Sequence, residues 1–289
     1  MFHMEHLYKT DTNNMSRIEV RLPAGEGVAD GQTATFKLPV GRRYHEIQVD
    51  FDGMNVADMQ EIRIYANGKV IHRYSGEERD SMNKFDRREN TLTGKILILP
   101  FDRHALKTLF GEEQTALNTG SFDEAGNGIS SLYIEIDIKS GVTAPKIAMT
   151  ATQSEKLEGG AGTVMHVQRH IRDFGGAGQV EVSDLPRGTV TSMALNRVFL
   201  VASTNTIDKV QIQRNTHTIF ERKREVNSRV QLDGMRSPQY GIFTIDKTER
   251  GVGGDPITLT GVNDFRYIMD LPVAMSVKFI TEYLGVLGD

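Results

Sequence analysis

One stretch of this sequence occurs twice, and the repeat limits what the chain can fold into. The first copy runs from Leu38 to Tyr74 and the second from Leu185 to Arg222. Both copies open with Leu-Pro-x-Gly and continue with an apolar run, a polar connection and a short hairpin. With one residue inserted in the second copy, Asn67 at the first hairpin tip aligns with Asn215. The repeat predicts one β-domain that is present twice in tandem.

Short segments with a period of two run through both halves. Arg17 to Leu22, Thr33 to Leu38 and Leu132 to Ile138 alternate polar with apolar residues, as half-buried strands do. Glycine and proline interrupt such segments about every 8 to 12 residues, a spacing typical of β-sandwiches. The predicted fold is all-β, with two tandem jelly-roll β-sandwiches of roughly eight strands each and short helices in their loops.

The predicted domain limits follow from where this alternation stops. Residues 1–16 form a polar N-terminal arm, residues 17–140 the first jelly roll and residues 179–289 the second. Residues 141–178 are rich in glycine and are interpreted as a flexible linker. A phosphate-binding loop is excluded there because no Lys-Ser/Thr pair follows the glycines.

One connecting segment of the first half predicts a helix, and a second one is a candidate for a helix. Phe101 to Gly111 has Asp102 as a candidate N-cap and Gly111 as a stop signal. Its apolar face would consist of Leu106, Leu109 and Phe110. The charged segment from Glu77 to Asn90 fits either a short exposed helix or a long loop.

The two hairpin tips differ in their residues. Asn67-Gly68 predicts a tight type I′ turn because both residue types tolerate positive φ. Asn215-Thr216 suits that turn less well, so a looser hairpin is expected in the second copy.

Composition excludes several functional classes. The 289 residues include no cysteine, which removes disulfides, thiol catalysis and Cys-ligated zinc. A net charge of -4 argues against dominant nucleic-acid binding. The N-terminus lacks a signal-peptide pattern, and the apolar runs are far shorter than the roughly 18 residues of a membrane span. We therefore expect synthesis in the cytosol without a membrane-spanning segment.

No pattern in the sequence predicts an enzyme. Gly-x-Ser-x-Gly and His-Glu-x-x-His are both absent. Glu135 and Asp137 share one face of a predicted strand, at a separation that paired glycosidase carboxylates use. A strand on the surface of a β-sandwich shows the same alternation of exposed acids with buried isoleucines. No catalytic residue is therefore assigned.

Three groups of oxygen or nitrogen ligands are candidate cation sites. They are Asp50, Asp52 and Asp58 around a turn, Asp123, Glu124 and Asn127 in a loop, and His3, Glu5 and His6 in the arm. Each group also fits an ordinary solvated turn or chain end, so the metal ligands remain unassigned.

Four stretches carry a resemblance to a known family. They are Phe36 to Ile47, Arg63 to Tyr74, Gln168 to Arg187 and Val277 to Val286. In order and spacing the chain resembles the double jelly-roll major capsid proteins of tailless, membrane-containing icosahedral phages, and among them the corticovirus type.

The resemblance implies a coat protein whose two jelly rolls lie side by side. Three such chains would form a trimer of pseudo-hexagonal outline that tiles an icosahedral shell around an internal lipid membrane. Its partners would be neighbouring capsomers, a penton or vertex protein, and internal membrane proteins or lipid, with no specific nucleic acid. Structural Ca²⁺ is the one cofactor implied. The protein would reside in the virion capsid after synthesis in the host cytoplasm.

A basic strip within Val164 to Phe174 is a candidate for the membrane-facing or inter-subunit side. It contains His166, Arg169, His170 and Arg172. An ordinary solvated strand face explains the same residues.

Two other functions compete with the coat protein. A receptor- or carbohydrate-binding β-sandwich spike would expose aromatic residues on one loop end. Tyr240, Phe243, Phe265 and Tyr267 are the candidates for that cluster. A jelly-roll glycosidase would place two acids in a cleft.

Overall fold

The computed structural model describes residues 17–88, 94–104, 106–204, 206–252 and 254–288, and within them the chain forms eighteen strands and three α-helices. The strands of the first half are β1 (Ile18–Arg21), β2 (Thr33–Leu38), β3 (Arg42–Asp52), β4 (Met59–Ala66), β5 (Lys69–Tyr74), β6 (Ile96–Pro100), β7 (Leu117–Asn118), β8 (Leu132–Ile138) and β9 (Lys146–Glu155). Those of the second half are β10 (Val164–Phe174), β11 (Gly178–Val182), β12 (Ala194–Ala202), β13 (Lys209–Arg214), β14 (His217–Lys223), β15 (Ile242–Asp246), β16 (Ile257–Thr258), β17 (Phe265–Leu271) and β18 (Met275–Gly285). The helices are α1 (Gly76–Phe85), α2 (Leu109–Glu113) and α3 (Arg224–Gln231), with a 3-10 turn at Val56–Asp58.

The first half, domain 1, is a sandwich of two antiparallel sheets. Sheet A has the order β1-β9-β3-β6, with the short strand β7 paired to β3. Sheet B has the order β2-β8-β4-β5. Apart from the β4–β5 hairpin and the short strand β7, consecutive strands alternate between the two sheets, which is the connectivity of a jelly roll.

The second half, domain 2, repeats this connectivity. Its sheet A has the order β10-β18-β12-β15, with β16 paired to β12, and its sheet B has the order β11-β17-β13-β14. Apart from the two-residue strands β7 and β16, each domain has eight strands in the same order. The predicted pair of jelly rolls is confirmed.

Each domain buries the inward-facing residues of its two sheets in a core of its own. In domain 1, Ile47 and Val49 of β3 face Ile62 and Ile64 of β4, and all four are fully buried. In domain 2 the corresponding strands contribute Val198, Leu200, Val210 and Ile212. Ile62 and Ile64 thus match Val210 and Ile212, as the sequence repeat predicts.

The predicted linker over residues 141–178 is wrong, because most of it is strand. β9 and β10 both fall inside it. In β9, Met149 and Ala151 alternate inward with partly exposed neighbours and join the core of domain 1. Glycines at both ends of the segment concealed these strands, and only residues 156–163 connect β9 to β10.

The helix predicted over Phe101 to Gly111 is also wrong in its bounds. The helix present, α2, begins at Leu109 with Thr108 as its N-cap, and Asp102 caps nothing. Leu109 and Phe110 are 50% and 85% exposed, so the predicted apolar face is not buried. Five residues are too few for a helix to persist on propensity alone, so loop contacts set its limits.

The charged segment after β5 is a helix rather than a loop. Ser75 caps α1 by accepting from the Glu78 amide, while the Glu78 carboxylate accepts from the Ser75 amide. Met82 and Phe85 are each 1% exposed, so this helix is packed on one face.

Both hairpin tips adopt the same tight turn. Asn67 and Gly68 have φ of 51° and 76°, and Asn215 and Thr216 have φ of 47° and 70°. The looser second hairpin that the sequence predicts is therefore not found. Thr216 instead holds a positive φ that β-branched residues rarely adopt.

The two hairpin asparagines also brace the same neighbouring segment. The Asn67 side-chain oxygen accepts from the amides of Ser130 and Ser131, just before β8. The Asn215 side-chain oxygen accepts from the amide of Asp264, just before β17. This shared hydrogen bond explains why asparagine recurs at the aligned position.

Among the described residues, no helix is long and apolar enough to span a lipid bilayer.

Candidate functional site

The two domains meet along one extensive interface. The outer side of sheet A in domain 2 lies against α1 and the β5 edge of domain 1. Strand β10 runs parallel to β5 at the pair Val167 and His72, which joins the two domains in a continuous nine-stranded sheet. The interface fixes the two jelly rolls side by side.

Aromatic packing forms the apolar part of this interface. Phe85 of α1 packs edge-on against Phe199 of β12, with ring centroids 5.5 Å apart. Phe199 and Ile280 lie on the outer side of their sheet, yet both are fully buried in the core cluster of domain 1. Domain 1 therefore shields a sheet face that would otherwise expose large apolar side chains.

A buried ionic group lies beside these aromatic residues. Arg197 of β12 donates to Asp86 of domain 1 at 2.6 Å and to Glu282 of β18 at 2.6 Å. Burial opposes the charge of Arg197, but the two carboxylates outweigh it and raise the pKa of Arg197 well above its ordinary value. Burial likewise disfavours the charged form of Asp86, and Arg197 nevertheless holds the pKa of Asp86 below its usual range.

Ion pairs across the interface all have the same polarity. Among the described residues four such pairs cross it, and each takes its acid from domain 1 and its base from domain 2. Arg169 of β10 pairs with Glu61 at 2.7 Å and with Glu78 at 3.3 Å. Lys278 pairs with Glu78 at 3.2 Å. The helix side of the interface is acidic and the sheet side is basic.

A neutral histidine lies inside the same interface. His72 Nε2 is 3.1 Å from the carbonyl oxygen of Met165, and its ring stacks on Phe101 with centroids 5.4 Å apart. Burial lowers the pKa of His72 to about 3, with a smaller contribution from the nearby charge of Arg79. A proton on His72 is therefore strongly disfavoured in the folded chain.

The basic strip predicted on β10 is not a free surface. Arg169 is committed to Glu61 and Glu78 in the interdomain interface, and Arg172 pairs with Asp184 at 2.7 Å. His166 is buried against the carbonyl oxygen of Val286. The proposed membrane-facing or inter-subunit role of this strip is thus wrong for Arg169, whose partners lie in the same chain.

The two candidate catalytic acids are neutralised by one arginine. Arg63 pairs with Glu135 at 3.1 Å and with Asp137 at 2.6 Å across adjacent strands of sheet B. The hydrogen bond from Arg63 lowers the pKa of Asp137. A glycosidase acid needs a raised pKa instead, so the geometry does not favour the glycosidase hypothesis.

The acidic turn does not form a cation cage. Asp52 pairs with Lys95 at 2.5 Å, and the Asp58 carboxylate accepts from the Asn55 amide at 2.8 Å. Asp50 points outward from β3 and is exposed. No group of three or more acids or histidines among the described residues is arranged to hold a metal ion. Structural Ca²⁺ therefore stays a prediction from the resemblance.

The second candidate cation site is satisfied by its own loop. Asp123 accepts from the amides of Ala125 and Asn127 and from the Asn127 side chain, at 2.7 to 2.9 Å. The third candidate, His3 with Glu5 and His6, lies outside the described residues, as does the predicted arm.

The aromatic cluster expected of a spike protein is not formed. Tyr240 is 85% exposed, but Phe243, Phe265 and Tyr267 are buried in the core of domain 2. The carbohydrate-binding alternative therefore finds no support.

Sequence reasoning missed the residues that build the interface, namely Phe85, Asp86, Arg197 and Phe199. One signal was available, because β12 is almost continuously apolar rather than alternating. Such a run is typical of a strand that is buried on both faces.

Comparison with known families places both halves of the chain. Residues 19–154 match the viral coat protein P2 N-terminal domain. Residues 164–287 match the viral coat protein P2 C-terminal domain. The major capsid protein P2 of Pseudoalteromonas phage PM2 is 22% identical over 267 residues, which is 90% of this chain and 93% of that protein.

Solved structures share the fold at low sequence identity. The crystal structure of major capsid protein P2 from bacteriophage PM2 matches with a TM-score of 0.84 at 20% identity, over 94% of this chain and 98% of that one. The atomic structure of Sulfolobus Turreted Icosahedral Virus contains a chain that matches with a TM-score of 0.68 at 12% identity. The match covers 94% of this chain and 92% of that one. A chain of the PBCV-1 virus capsid matches with a TM-score of 0.60 at 9% identity, and the match covers 93% of each chain.

Proposed function

The chain belongs to the viral coat protein P2 family, and we propose that three copies of it close into a ring of six jelly rolls. The ring is the capsomer of an icosahedral virion. Its function is structural: the protein is the major building block of the capsid.

The interdomain interface is the observation that carries this proposal. It is heterologous, since the α1 side of domain 1 meets sheet A of domain 2. Because both domains have the same fold, domain 2 presents its own helix side and domain 1 its own sheet A. Among the described residues, α2 covers the Arg43 end of that sheet, whereas Gln48 and Thr150 in its centre stay partly exposed. A head-to-tail contact that repeats with a suitable rotation closes into a ring.

The ring of three chains explains why the domain is duplicated. Six similar jelly rolls give a nearly hexagonal outline, and hexagonal blocks tile the faces of an icosahedron. We extend the proposal to a shell that encloses a lipid membrane and contacts vertex proteins and internal membrane proteins, with synthesis in the host cytoplasm. The resemblance to membrane-containing phages supports these parts, and lipid extraction from purified particles tests the membrane.

Sedimentation equilibrium of the purified chain tests the ring. The expected mass is three times that of one chain at micromolar concentration. A monomer at every concentration, or an even-numbered oligomer, would contradict the ring of six jelly rolls.

A further inference from the structure

Helix α3 and the residues beside it form an exposed surface in domain 2. We propose that this surface packs on the outer side of sheet A in domain 1 of the next copy, where it takes the place that α1 takes within the chain. The inference rests on the proposed trimer and identifies the surfaces that hold it together.

Helices α1 and α3 are structurally equivalent. Helix α1 directly follows β5 and helix α3 directly follows β14, which are equivalent strands of the two sheets B. Each helix is hydrogen-bonded to the third residue of an edge strand of sheet A, β6 in domain 1 and β15 in domain 2. In domain 1 the Asn83 side chain donates to the carbonyl oxygen of Ile98 at 3.0 Å. In domain 2 the Asn227 side chain donates to the carbonyl oxygen of Thr244 at 2.7 Å.

Counting from these asparagines shows which residues occupy equivalent positions. Met82 precedes Asn83 by one residue, and Asp86 follows it by three; they are 1% and 4% exposed. Val226 and Val230 hold the same positions relative to Asn227, yet they are 53% and 45% exposed. The apolar stripe of α3 thus points in the direction that α1 buries, and none of the described residues of its own chain covers it.

A groove continues this apolar surface beyond the end of α3. It has a volume of about 290 Å³ and is lined by Leu232, Pro238, Tyr240 and Ile242 among others. Leu232 is 63% exposed and Tyr240 is 85% exposed. An exposed tyrosine beside an apolar groove is typical of a protein interface.

The receiving surface is the part of domain 1 equivalent to the sheet that α1 covers. In domain 2, Phe199 of β12 pairs with Ile280 of β18, and both are fully buried by domain 1. In domain 1 the central outward pair of the same two strands is Gln48 of β3 and Thr150 of β9, and both remain partly exposed. Among the described residues, domain 2 therefore has the centre of its outer sheet covered, and domain 1 has the equivalent centre partly exposed.

Charge complementarity supports the same pairing. The α3 side carries Lys223 and Arg229, both exposed. The open sheet carries the exposed acids Glu19 and Asp50 and the exposed base Arg21, which lies on the rung of Thr150. Glu46 of the same face already pairs with Arg88. Lys223 and Arg229 of the helix side thus face two exposed acids and one base, so charge favours this pairing only weakly.

Two blocked variants test the proposed contact. Val226→Glu with Val230→Glu blocks the helix surface, and Thr150→Arg blocks the sheet surface. All three sites are at least partly exposed in one chain, so each variant should stay folded, with the circular-dichroism spectrum of the parent. Each variant alone should sediment as a monomer. An equimolar mixture should form a heterodimer through the one intact helix–sheet pair, and no trimer.

The outcomes separate this inference from the trimer itself. A parent chain that is trimeric while either variant also remains trimeric would overturn the proposed surfaces and leave the trimer standing. Monomeric variants that fail to associate on mixing would overturn the helix–sheet pairing. A parent chain that is always monomeric would overturn both. Val273→Glu, in the turn between β17 and β18 at 42% exposure, is the matched control and should remain trimeric.

Discussion

Helices α1 and α3 show how one local structure serves two different surroundings. Both fasten to the edge strand of sheet A through an asparagine. The outer face of α1 is buried against domain 2, whereas the outer face of α3 carries exposed valines. The repeat therefore conserves what attaches the helix to its own domain. The residues that differ are those that meet the next jelly roll.

The largest expected effect follows from removing Arg197 from the buried ionic group that it forms with Asp86 and Glu282. Arg197→Met leaves Asp86 and Glu282 buried without their base, so the free energy of unfolding should fall by about 3–5 kcal/mol. Urea denaturation measures the change.

Arg266→Met is the matched control for this substitution. Arg266 pairs with Asp264 at 2.7 Å and with Glu181 at 3.1 Å, but its side chain is 41% exposed. The expected loss is much smaller than that of Arg197→Met, because exposed ion pairs contribute little to stability. Equal losses for the two variants would show that the interdomain pair is no more important than a surface pair.

A comparable loss is expected from the aromatic contact. Phe85→Ala removes a fully buried ring from its packing against Phe199 and should destabilise the chain by about 3–4 kcal/mol. Val226→Ala, on the open face of α3, should change the unfolding free energy of the monomer by less than about 0.5 kcal/mol. Comparable losses for both would mean that α3 is already packed within its own chain.

Acid should weaken the interdomain interface through His72. Its folded pKa of about 3 lies below the ordinary value of 6.5, so the unfolded chain binds the proton more readily. The stability that His72 contributes is present above pH 6.5 and is lost as the pH falls towards 3. The loss is about 3 kcal/mol at pH 4.5.

His72→Phe should flatten this part of the stability curve. Urea denaturation between pH 7 and 4.5 measures the slope for both chains. A variant with a slope as steep as that of the parent would exclude His72 as the titrating group.

The smallest expected effect concerns the two hairpins. Thr216→Gly removes a β-branched residue from a positive φ, and the gain is partly offset by the greater freedom of glycine in the unfolded chain. A stabilisation of about 1 kcal/mol is expected. Gly68→Thr should have the opposite effect, and if both changes destabilise, the strain assigned to Thr216 is absent.

The fold was largely predictable because its signals are local. Alternation in β8, the Asn67-Gly68 turn and the repeat itself each depend on neighbouring residues. The errors arose where local signals compete. Glycines flanking β9 and β10 indicated a linker, although the alternation of Met149 and Ala151 already indicated a strand.

The interface was not predictable by the same means. Phe85 and Asp86 lie in a segment so charged that solvent exposure was the natural expectation, and their partners are more than 100 residues away. Arg169 reads as part of a basic surface until the acids of the other domain are placed beside it. Local pattern carries no information on which surface of one domain covers another.

A cryo-electron microscopy structure of the assembled ring tests the central claim most directly. The rotation from domain 1 to domain 2 within a chain should equal the rotation from domain 2 to domain 1 of the next chain, at about 60° for each step of a closed ring of six. Each α3 should then lie over β3 and β9 of its neighbour. A ring in which α3 faces solvent, or meets a second α3 across a two-fold axis, would contradict the account.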